Sequence, residues 1–205
     1  IADLDDKAEI GITAEKQNSL NDGANIIISA VAADKADCFT ADAPLLYEIC
    51  ANGAGLALRT FQGHKHCICG LSVDTKETVK GHDEHTEMTF KPWTAGNSLP
   101  NTSGEYYLTQ NVKLSETWQP PADTVLCLNG KTITYNGKAV DMTGGTVTIT
   151  DCAKSWKAGT IDAAAETAGI AKGSTFILYR GKLAGKSGID ANGTFVMYGG
   201  TVTGS

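Results

Sequence analysis

Four histidines and two cysteines lie close together in one segment of the chain, and both residue types can bind a metal ion. All four histidines of the 205-residue protein fall between positions 64 and 85, and Cys67 and Cys69 stand beside the first pair. Side chains of an extended segment alternate between two faces, so His64 and His66 are expected on one face, and the two cysteines likewise share a face. Zinc takes four nitrogen or sulfur ligands in a tetrahedral structural site. The segment therefore predicts a structural metal, with zinc as the first candidate, and its candidate ligands are His64, His66, Cys67, Cys69, His82 and His85.

Two other interpretations of this segment stay open. The cysteines do not have the common C-x-x-C spacing, and either Cys67 or Cys69 can instead form a disulfide with another part of the chain. Without a metal or a disulfide, the segment is a polar loop. Cys127 and Cys152 each end a strand-like run, and they fit either a bonded pair or two buried thiols that pack as small apolar groups.

Catalytic candidates are fewer. Aspartates recur in the second half of the chain, and carboxylates aligned on one face can act as acid and base on a glycosidic bond. Aspartate is also common in turns because its side chain accepts hydrogen bonds from backbone amides, and this structural interpretation is favoured. The chain is therefore expected not to be an enzyme. The aspartates concerned are Asp141, Asp151, Asp162 and Asp190.

Aromatic side chains suggest a binding function instead. Tyrosine and tryptophan stack on sugar rings through their apolar faces when they are exposed in a row. Packing within a core is the alternative for the same residues. The candidate ligand-binding residues are Tyr179, Tyr198, Trp118 and Trp156.

The composition limits the kinds of partner. With 41% hydrophobic and 20% charged residues, the chain falls outside the range of disordered proteins. A net charge of -6 gives no overall attraction to nucleic acid or to anionic lipid, and no apolar run approaches the roughly 20 residues that span a bilayer. Twenty-three glycines favour strands joined by tight turns. We therefore expect an all-β protein that binds neither nucleic acid nor membranes.

An internal repeat organises the second half of the chain. Residues 175–185 align with residues 194–204 at a spacing of 19, and more degenerate copies extend back to about Tyr106. In a parallel solenoid every repeat places the same position over the same position of its neighbour, whereas strands of an antiparallel sandwich have unrelated environments. The repeat favours the solenoid, with residues 153–158 and 163–172 as outward loops. The expected stacks are Phe176 over Phe195, Tyr179 over Tyr198 and Leu183 over Val202, with Gly181 and Gly200 at a corner.

Three regions follow from these patterns. Residues 1–62 contain four strand-like runs, at 9–13, 25–31, 45–49 and 56–61, and predict a small β domain of immunoglobulin-like type. Residues 63–104 form a junction rich in histidine and cysteine. Residues 105–205 form the predicted parallel β-helix, and the strand pattern at residues 201–205 predicts that the solenoid is truncated there.

The motifs of residues 64–205 together resemble a known family. They include HKHCICG at residues 64–70, GEYYLT at 104–109, LCLNGKTI at 126–133, TITDC at 148–152 and GTFVMYGGTVTG at 193–204. This succession resembles large secreted or wall-attached proteins of Gram-positive gut bacteria, which are similar to right-handed parallel β-helices of the pectin-lyase-like superfamily. Residues 1–63 lie outside the resemblance.

The resemblance implies fold and location more directly than activity. Enzymes of that superfamily use calcium-binding carboxylates with an arginine base, or clustered aspartates, and here only Arg180 lies in the repeats. The resemblance therefore implies a non-catalytic secreted or cell-surface protein, an adhesin that binds glycans or other cell-surface ligands. A polysaccharide lyase or glycoside hydrolase on the same fold is the first alternative. A self-associating subunit of a surface filament is the second.

Overall fold

A computed structural model describes residues 10–12, 26–28, 39–41, 47–52, 55–60, 63–73, 75, 77–79, 82, 84–154 and 157–204. Trp156, a predicted ligand-binding residue, lies outside this set. The chain divides into two compact units, residues 1–63 and residues 64–205. All regular elements of the described residues are strands apart from a single 3-10 position, so the protein is all-β as the composition predicts. Within those residues, no helix is long and apolar enough to cross a membrane.

The first unit contains two small sheets. Their strands are β1 (Ile10–Ile12), β2 (Ile26–Ile28), β3 (Phe39–Ala41), β4 (Tyr47–Asn52) and β5 (Gly55–Thr60). In one, β1 pairs in parallel with β3, and in the other β5 lies between β2 and β4 and is antiparallel to both. Four of these strands coincide with the runs predicted from the sequence, and β3 was not predicted. The immunoglobulin-like type stays a prediction.

The second unit begins with a hairpin and continues as a succession of short parallel strands. The hairpin consists of β6 (His64–Cys67) and the first half of β7 (Glu87–Trp93), and the second half of β7 pairs in parallel with the next strand. The later strands are β8 (Gly104–Leu108), β9 (Val112–Lys113), β10 (Thr124–Cys127), β11 (Thr132–Tyr135), β12 (Val140–Met142), β13 (Gly145–Thr150), β14 (Thr160–Ala163), β15 (Glu166–Ile170), β16 (Ser174–Leu178), β17 (Lys182–Gly185), β18 (Gly188–Ala191), β19 (Thr194–Met197) and β20 (Thr201–Gly204).

These strands form three sheets that the chain visits in a repeating order. The long sheet has the order β6-β7-β8-β10-β13-β16-β19, the second sheet β9-β11-β14-β17-β20, and the third sheet β12-β15-β18. Every pairing from β7 to β20 is parallel. A strand therefore pairs with its counterpart from the next round of the chain, which is how a repeat with equivalent positions is expected to pair.

Apolar side chains stacked in register form the core between the sheets. Leu126 pairs with Ile149 and Ile149 with Leu178 in the long sheet, while Ile161 pairs with Leu183 in the second sheet. All five are fully buried. Burial of each such side chain contributes about 1.5–3 kcal/mol relative to an exposed one, so these stacked side chains are a main source of stability.

The stacks predicted from the repeat are confirmed. The rings of Phe176 and Phe195 lie 6.0 Å apart between centroids, and those of Tyr179 and Tyr198 lie 4.7 Å apart at 20°. Leu183 pairs with Val202 in register. Both corner glycines have positive φ, 101° at position 181 and 85° at position 200.

One predicted loop is wrong. Residues 163–172 were expected to bulge outward, but they contain β15, the central strand of the third sheet. Thr167, Ala168 and Ile170 of this strand are buried. Only Thr167 and Ile170 of β15 are β-branched, and the alanines and glycine around them carry little strand preference. The strand is instead held by pairing on both edges, with β12 and β18.

Candidate metal centre

The hairpin of β6 and β7 packs on the outer face of the long sheet. Tyr106 and Leu126 belong to the core, and their chain neighbours Tyr107 and Cys127 alternate to the other face, where they pair with each other across β8 and β10. The ring of His64 stacks on Tyr107, with centroids 4.1 Å apart and planes 9° apart. The histidines of β6 are therefore placed against the outward side chains of the sheet.

The first of two potential metal-binding groups combines residues of this hairpin with residues at the ends of β10 and β13. His64 and His66 lie on β6, Cys127 ends β10, and Cys152 follows β13. Their four ligand atoms all lie within 4.8 Å of one another. We call this set group 1.

Distances within group 1 are close to those of a tetrahedral site. The Sγ atoms of Cys127 and Cys152 are 3.7 Å apart, and Cys152 Sγ is 3.5 Å from His64 Nε2. A tetrahedron with metal–sulfur bonds of about 2.3 Å and metal–nitrogen bonds of about 2.05 Å has edges of about 3.8 Å between sulfurs and about 3.6 Å between sulfur and nitrogen. An ion can therefore enter group 1 with small adjustments of these two pairs.

His66 presents an unpartnered nitrogen in this group. The side chain is 5% exposed and stacks on Phe90, with centroids 4.2 Å apart. Its Nδ1 donates a hydrogen bond to the carbonyl of Cys67 at 2.6 Å, which leaves Nε2 as the atom with a free lone pair in the neutral ring. Nε2 is buried and has no hydrogen-bond partner. A metal ion bound in group 1 would satisfy this nitrogen, and the Nδ1 bond is the kind of contact that orients a ligating histidine.

The second group is formed by the turn after β6 and the loop that leads to β7. Cys67, Cys69, His82 and His85 place their ligand atoms within 4.8 Å of one another, and we call this set group 2. Cys69 Sγ is 3.3 Å from His85 Nδ1, close to a tetrahedral edge. Cys67 Sγ is 2.8 Å from His82 Nε2, a hydrogen-bond distance that must widen to admit an ion.

Group 2 has the same kind of supporting contact as group 1. His85 Nε2 donates to the carbonyl of Glu77 at 2.9 Å, which leaves Nδ1 free to face Cys69. Glu77 is itself positioned by a bond from its amide to Thr75 Oγ1 at 3.1 Å. One histidine in each group thus donates its second ring nitrogen to a backbone carbonyl, as ligating histidines commonly do.

Tight backbone turns position the cysteines. In the turn after β6 the amide of Cys67 donates to Leu71 at 2.9 Å, and the amide of Gly70 donates to Cys67 at 2.8 Å. Beside Cys152, the buried carboxylate of Asp151 accepts bonds from the amides of Gly130 at 2.8 Å and Gly159 at 2.6 Å. Burial nevertheless raises the pKa of Asp151, and the backbone amides oppose this effect.

The cysteines differ in their ionisation. Burial raises the pKa of Cys127 well above its ordinary value and that of Cys69 to about 11. The pKa of Cys152 is lowered well below the ordinary value, first by the hydrogen bond that it accepts from Cys127 and next by His64. Group 1 therefore pairs a cysteine of raised pKa, Cys127, with one of lowered pKa, Cys152, and a bound cation would displace the proton of the bond between them.

None of the cysteines in the two groups forms a disulfide. Cys67, Cys69, Cys127 and Cys152 are free thiols, and the 3.7 Å between Cys127 and Cys152 far exceeds a disulfide bond of about 2.05 Å. The disulfide alternative for the junction is therefore not the arrangement of this structure.

The sequence predicted the six ligands of the junction, and the structure divides them between two groups. Cys127 and Cys152 were not predicted as ligands. Cys127 ends β10 and pairs in register with Thr150, and Cys152 follows two residues later, so the pairing of these neighbouring strands brings the two cysteines close together. What the sequence lacked was the position of the hairpin over them.

The aromatic residues predicted to bind a ligand do not form one row. Trp118 lies in the core at 5% exposure, and its Nε1 donates to the carbonyl of Pro100 at 2.8 Å. Tyr179 is 8% exposed and packs with Cys67 and Cys69, while Tyr198 stacks on its outer side. Their role in ligand binding stays a prediction.

No protein-family model, curated protein or solved structure matches the chain. The residues and their geometry therefore carry the functional interpretation.

Proposed function

We propose that this protein is a non-catalytic, zinc-stabilised module of a secreted or cell-surface protein, built on a right-handed parallel β-helix. The cyclic order in which the chain visits the three parallel sheets supports the β-helix. Parallel crossover connections are right-handed in nearly all proteins, which supports the proposed hand.

The observation that carries the proposal is the pair of Cys2His2 groups. Each group offers four protein ligands, which is the composition of a closed structural zinc site, whereas catalytic zinc sites keep one position for water or substrate. Thiolate and imidazole together favour zinc over calcium or magnesium, which prefer oxygen. We therefore assign the metal a structural role.

Zinc in group 1 has a definite mechanical consequence. It joins β6 at His64 and His66 to the ends of β10 and β13 at Cys127 and Cys152. Contacts that need no metal also hold the hairpin, among them the pairing of β7 with β8, the stacking of His64 on Tyr107 and the bond from Arg180 to the carbonyl of Gly70. The metal thus fixes the hairpin on the outer face of the long sheet, and zinc in group 2 fixes the loop that the hairpin carries.

Two of the four candidate aspartates, and the one arginine of the repeats, are engaged in other contacts. Asp151 accepts backbone amides and is buried, and Asp141 pairs with Lys138 at 3.1 Å. Arg180 donates to two backbone carbonyls. These contacts support a non-catalytic protein rather than the enzymatic alternative.

Glycans or other cell-surface ligands are the proposed partners, and self-association is the proposed alternative. A panel of pectins and other acidic glycans separates these proposals from the enzymatic one. We expect retention of the protein on at least one immobilised glycan without release of unsaturated or reducing ends. Release of such ends would contradict the non-catalytic proposal, and retention on none of them would contradict glycan binding.

Elemental analysis tests the metal itself. We expect two equivalents of zinc per full chain, one equivalent after Cys152→Ser and one after Cys69→Ser. The exposed Lys182→Ala serves as the matched control and should keep both. Limited proteolysis adds an independent readout: a chelator should expose the segment between Gly63 and Trp93 to cleavage while the later strands stay protected. Cleavage indifferent to chelator, with no zinc in the purified chain, would refute the zinc proposal.

A further inference from the structure

One arginine bonds to the backbone directly beside each of the two groups. Arg180 follows β16, at the start of the turn that leads to β17. Its Nη1 donates to the carbonyl of Gly70 at 3.2 Å, and its Nη2 donates to the carbonyl of Ala153 at 3.1 Å. These two acceptors are 83 positions apart in the chain, and a single guanidinium holds them together.

Each acceptor belongs to the residue that directly follows a cysteine ligand. Gly70 follows Cys69 of group 2, and Ala153 follows Cys152 of group 1. A displacement of either carbonyl therefore moves the backbone that carries a ligand. Because the guanidinium is planar and its donors have a fixed fork geometry, it fixes the positions of the two carbonyls relative to each other.

The two groups are also adjacent along β6. His66 of group 1 directly precedes Cys67 of group 2, and its Nδ1 bonds to the carbonyl of Cys67. The order imposed on His66 by a metal in group 1 thus extends to the first ligand of group 2. Arg180 supplies a second connection on the other side of the turn.

We propose that Arg180 is a positioning residue that couples the two groups, so that zinc in one group raises the affinity of the other. This inference rests on the proposed zinc-binding function. Metal in either group orders one of the two carbonyls, and the guanidinium then holds the other carbonyl near its ligating position. Coupling of this kind is reciprocal, and its ordinary size is about 5- to 150-fold in affinity.

The coupling can be measured with variants that disable one group. Cobalt(II) replaces zinc as a spectroscopic probe, and a competing chelator gives its affinity for the full-length protein. The affinity of group 1 is measured with group 2 filled and again in Cys69→Ser, and that of group 2 is measured with group 1 filled and again in Cys152→Ser. We expect each affinity to fall by about tenfold when the other group is disabled, and by the same factor in both directions.

Arg180→Lys then tests the residue. Lysine keeps the charge but lacks the planar fork, so we expect the coupling factor to fall toward 1 while each isolated group keeps its affinity. Lys182→Ala, a change of a nearby exposed cation, should leave the factor unchanged. Circular dichroism establishes that Arg180→Lys is folded, and the factor in the natural sequence tests the coupling without any change at Arg180.

Each result has one meaning. If the chain takes up no cobalt or zinc, the proposed function and this inference are both wrong. If two ions bind with a coupling factor of 1, the zinc proposal stands and the inference is wrong. If the factor is about tenfold in Arg180→Lys as well, the groups are coupled but Arg180 is not the residue that couples them, which also overturns the inference.

Discussion

Substitution of Gly70 by alanine tests how closely the turn of group 2 approaches the backbone of Asp151, which directly follows β13. Gly70 has a φ of +81°. A Cβ at this position would lie 2.1 Å from the carbonyl oxygen of Asp151 and 2.9 Å from the Cδ atom of Arg180. The first of these neighbours is backbone beside Cys152, so it cannot rotate away. Gly70→Ala therefore disturbs the contact between the two metal-binding groups.

The expected cost has two parts. An L-residue with a side chain in the left-handed region costs roughly 1–2 kcal/mol. The carbon–oxygen contact must open by more than about 1 Å to reach ordinary separation, and a shift of this kind in packed structure costs about 1–3 kcal/mol. We expect Gly70→Ala to lower the free energy of unfolding by about 2–5 kcal/mol in the metal-loaded protein.

Substitutions at two other glycines allow the conformational cost and the steric cost to be measured separately. Gly173 has a φ of +85°, but no atom lies within 4 Å of the position that an alanine Cβ would occupy, and Gly144 has the same open space without a positive φ. Gly173→Ala should therefore show the conformational cost alone, about 1–2 kcal/mol. Gly144→Ala should be close to neutral, because alanine also lowers the entropy of the unfolded chain.

Urea unfolding of the full chain, followed by tryptophan fluorescence, measures these differences. All three tryptophans fall within residues 64–205, so the signal reports the second unit. Equal destabilisation by Gly70→Ala and Gly173→Ala would refute the reasoning, since it would show that the turn does not lie against Asp151. Cobalt affinity of group 2 should fall in Gly70→Ala and stay unchanged in Gly173→Ala.

Three further predictions concern packing and surface charge. Phe176→Ala should lower the free energy of unfolding by about 3–5 kcal/mol in urea, because it empties a fully buried position of the core, whereas Met197→Ala at 45% exposure should change it by no more than about 0.5 kcal/mol. Trp118→Phe should cost about 1–3 kcal/mol in the same assay, since it leaves a backbone carbonyl without its indole donor; a neutral result would contradict the buried hydrogen bond. Lys65→Ala should change thermal stability little, within about 1 kcal/mol, because its ion pair with Glu87 is about half exposed, and a larger loss at high salt would contradict this.

The repeat made much of the second unit predictable. Repeated strands that pair in parallel place equivalent positions side by side, so equal residues at a spacing of 19 are expected to be neighbours, as Phe176 and Phe195 are. The same reasoning failed for β15, since alanine and glycine carry little strand preference and the pattern around Ala168 predicts a loop. The successive repeats differ in length, so a fixed spacing of 19 residues did not reveal the third sheet, β12-β15-β18.

The residue types of the candidate site could be predicted from the sequence, but the division of the candidate ligands into two groups could not. The ligands of β6 are local in sequence, and their clustering is visible without a structure. Cys127 and Cys152 are candidate ligands only because the hairpin brings His64 and His66 close to them. That placement depends on ring stacking such as His64 on Tyr107, a long-range contact that no local pattern specifies.

Strand alternation explains why the segment HKHCIC serves two groups rather than one. In β6 the side chains of His64 and His66 point to one face, and Cys67, at an odd offset, points to the other. The histidine face meets the outward cysteines of β10 and β13, while the opposite face and the following turn meet His82 and His85. The three candidate ligands on β6, His64, His66 and Cys67, cannot converge on one ion, because the pleat separates them. Because β6 has candidate ligands on both faces, it can contribute to two metal sites. One is shared with the cysteines at β10 and β13, and the other is shared with the loop that contains His82 and His85.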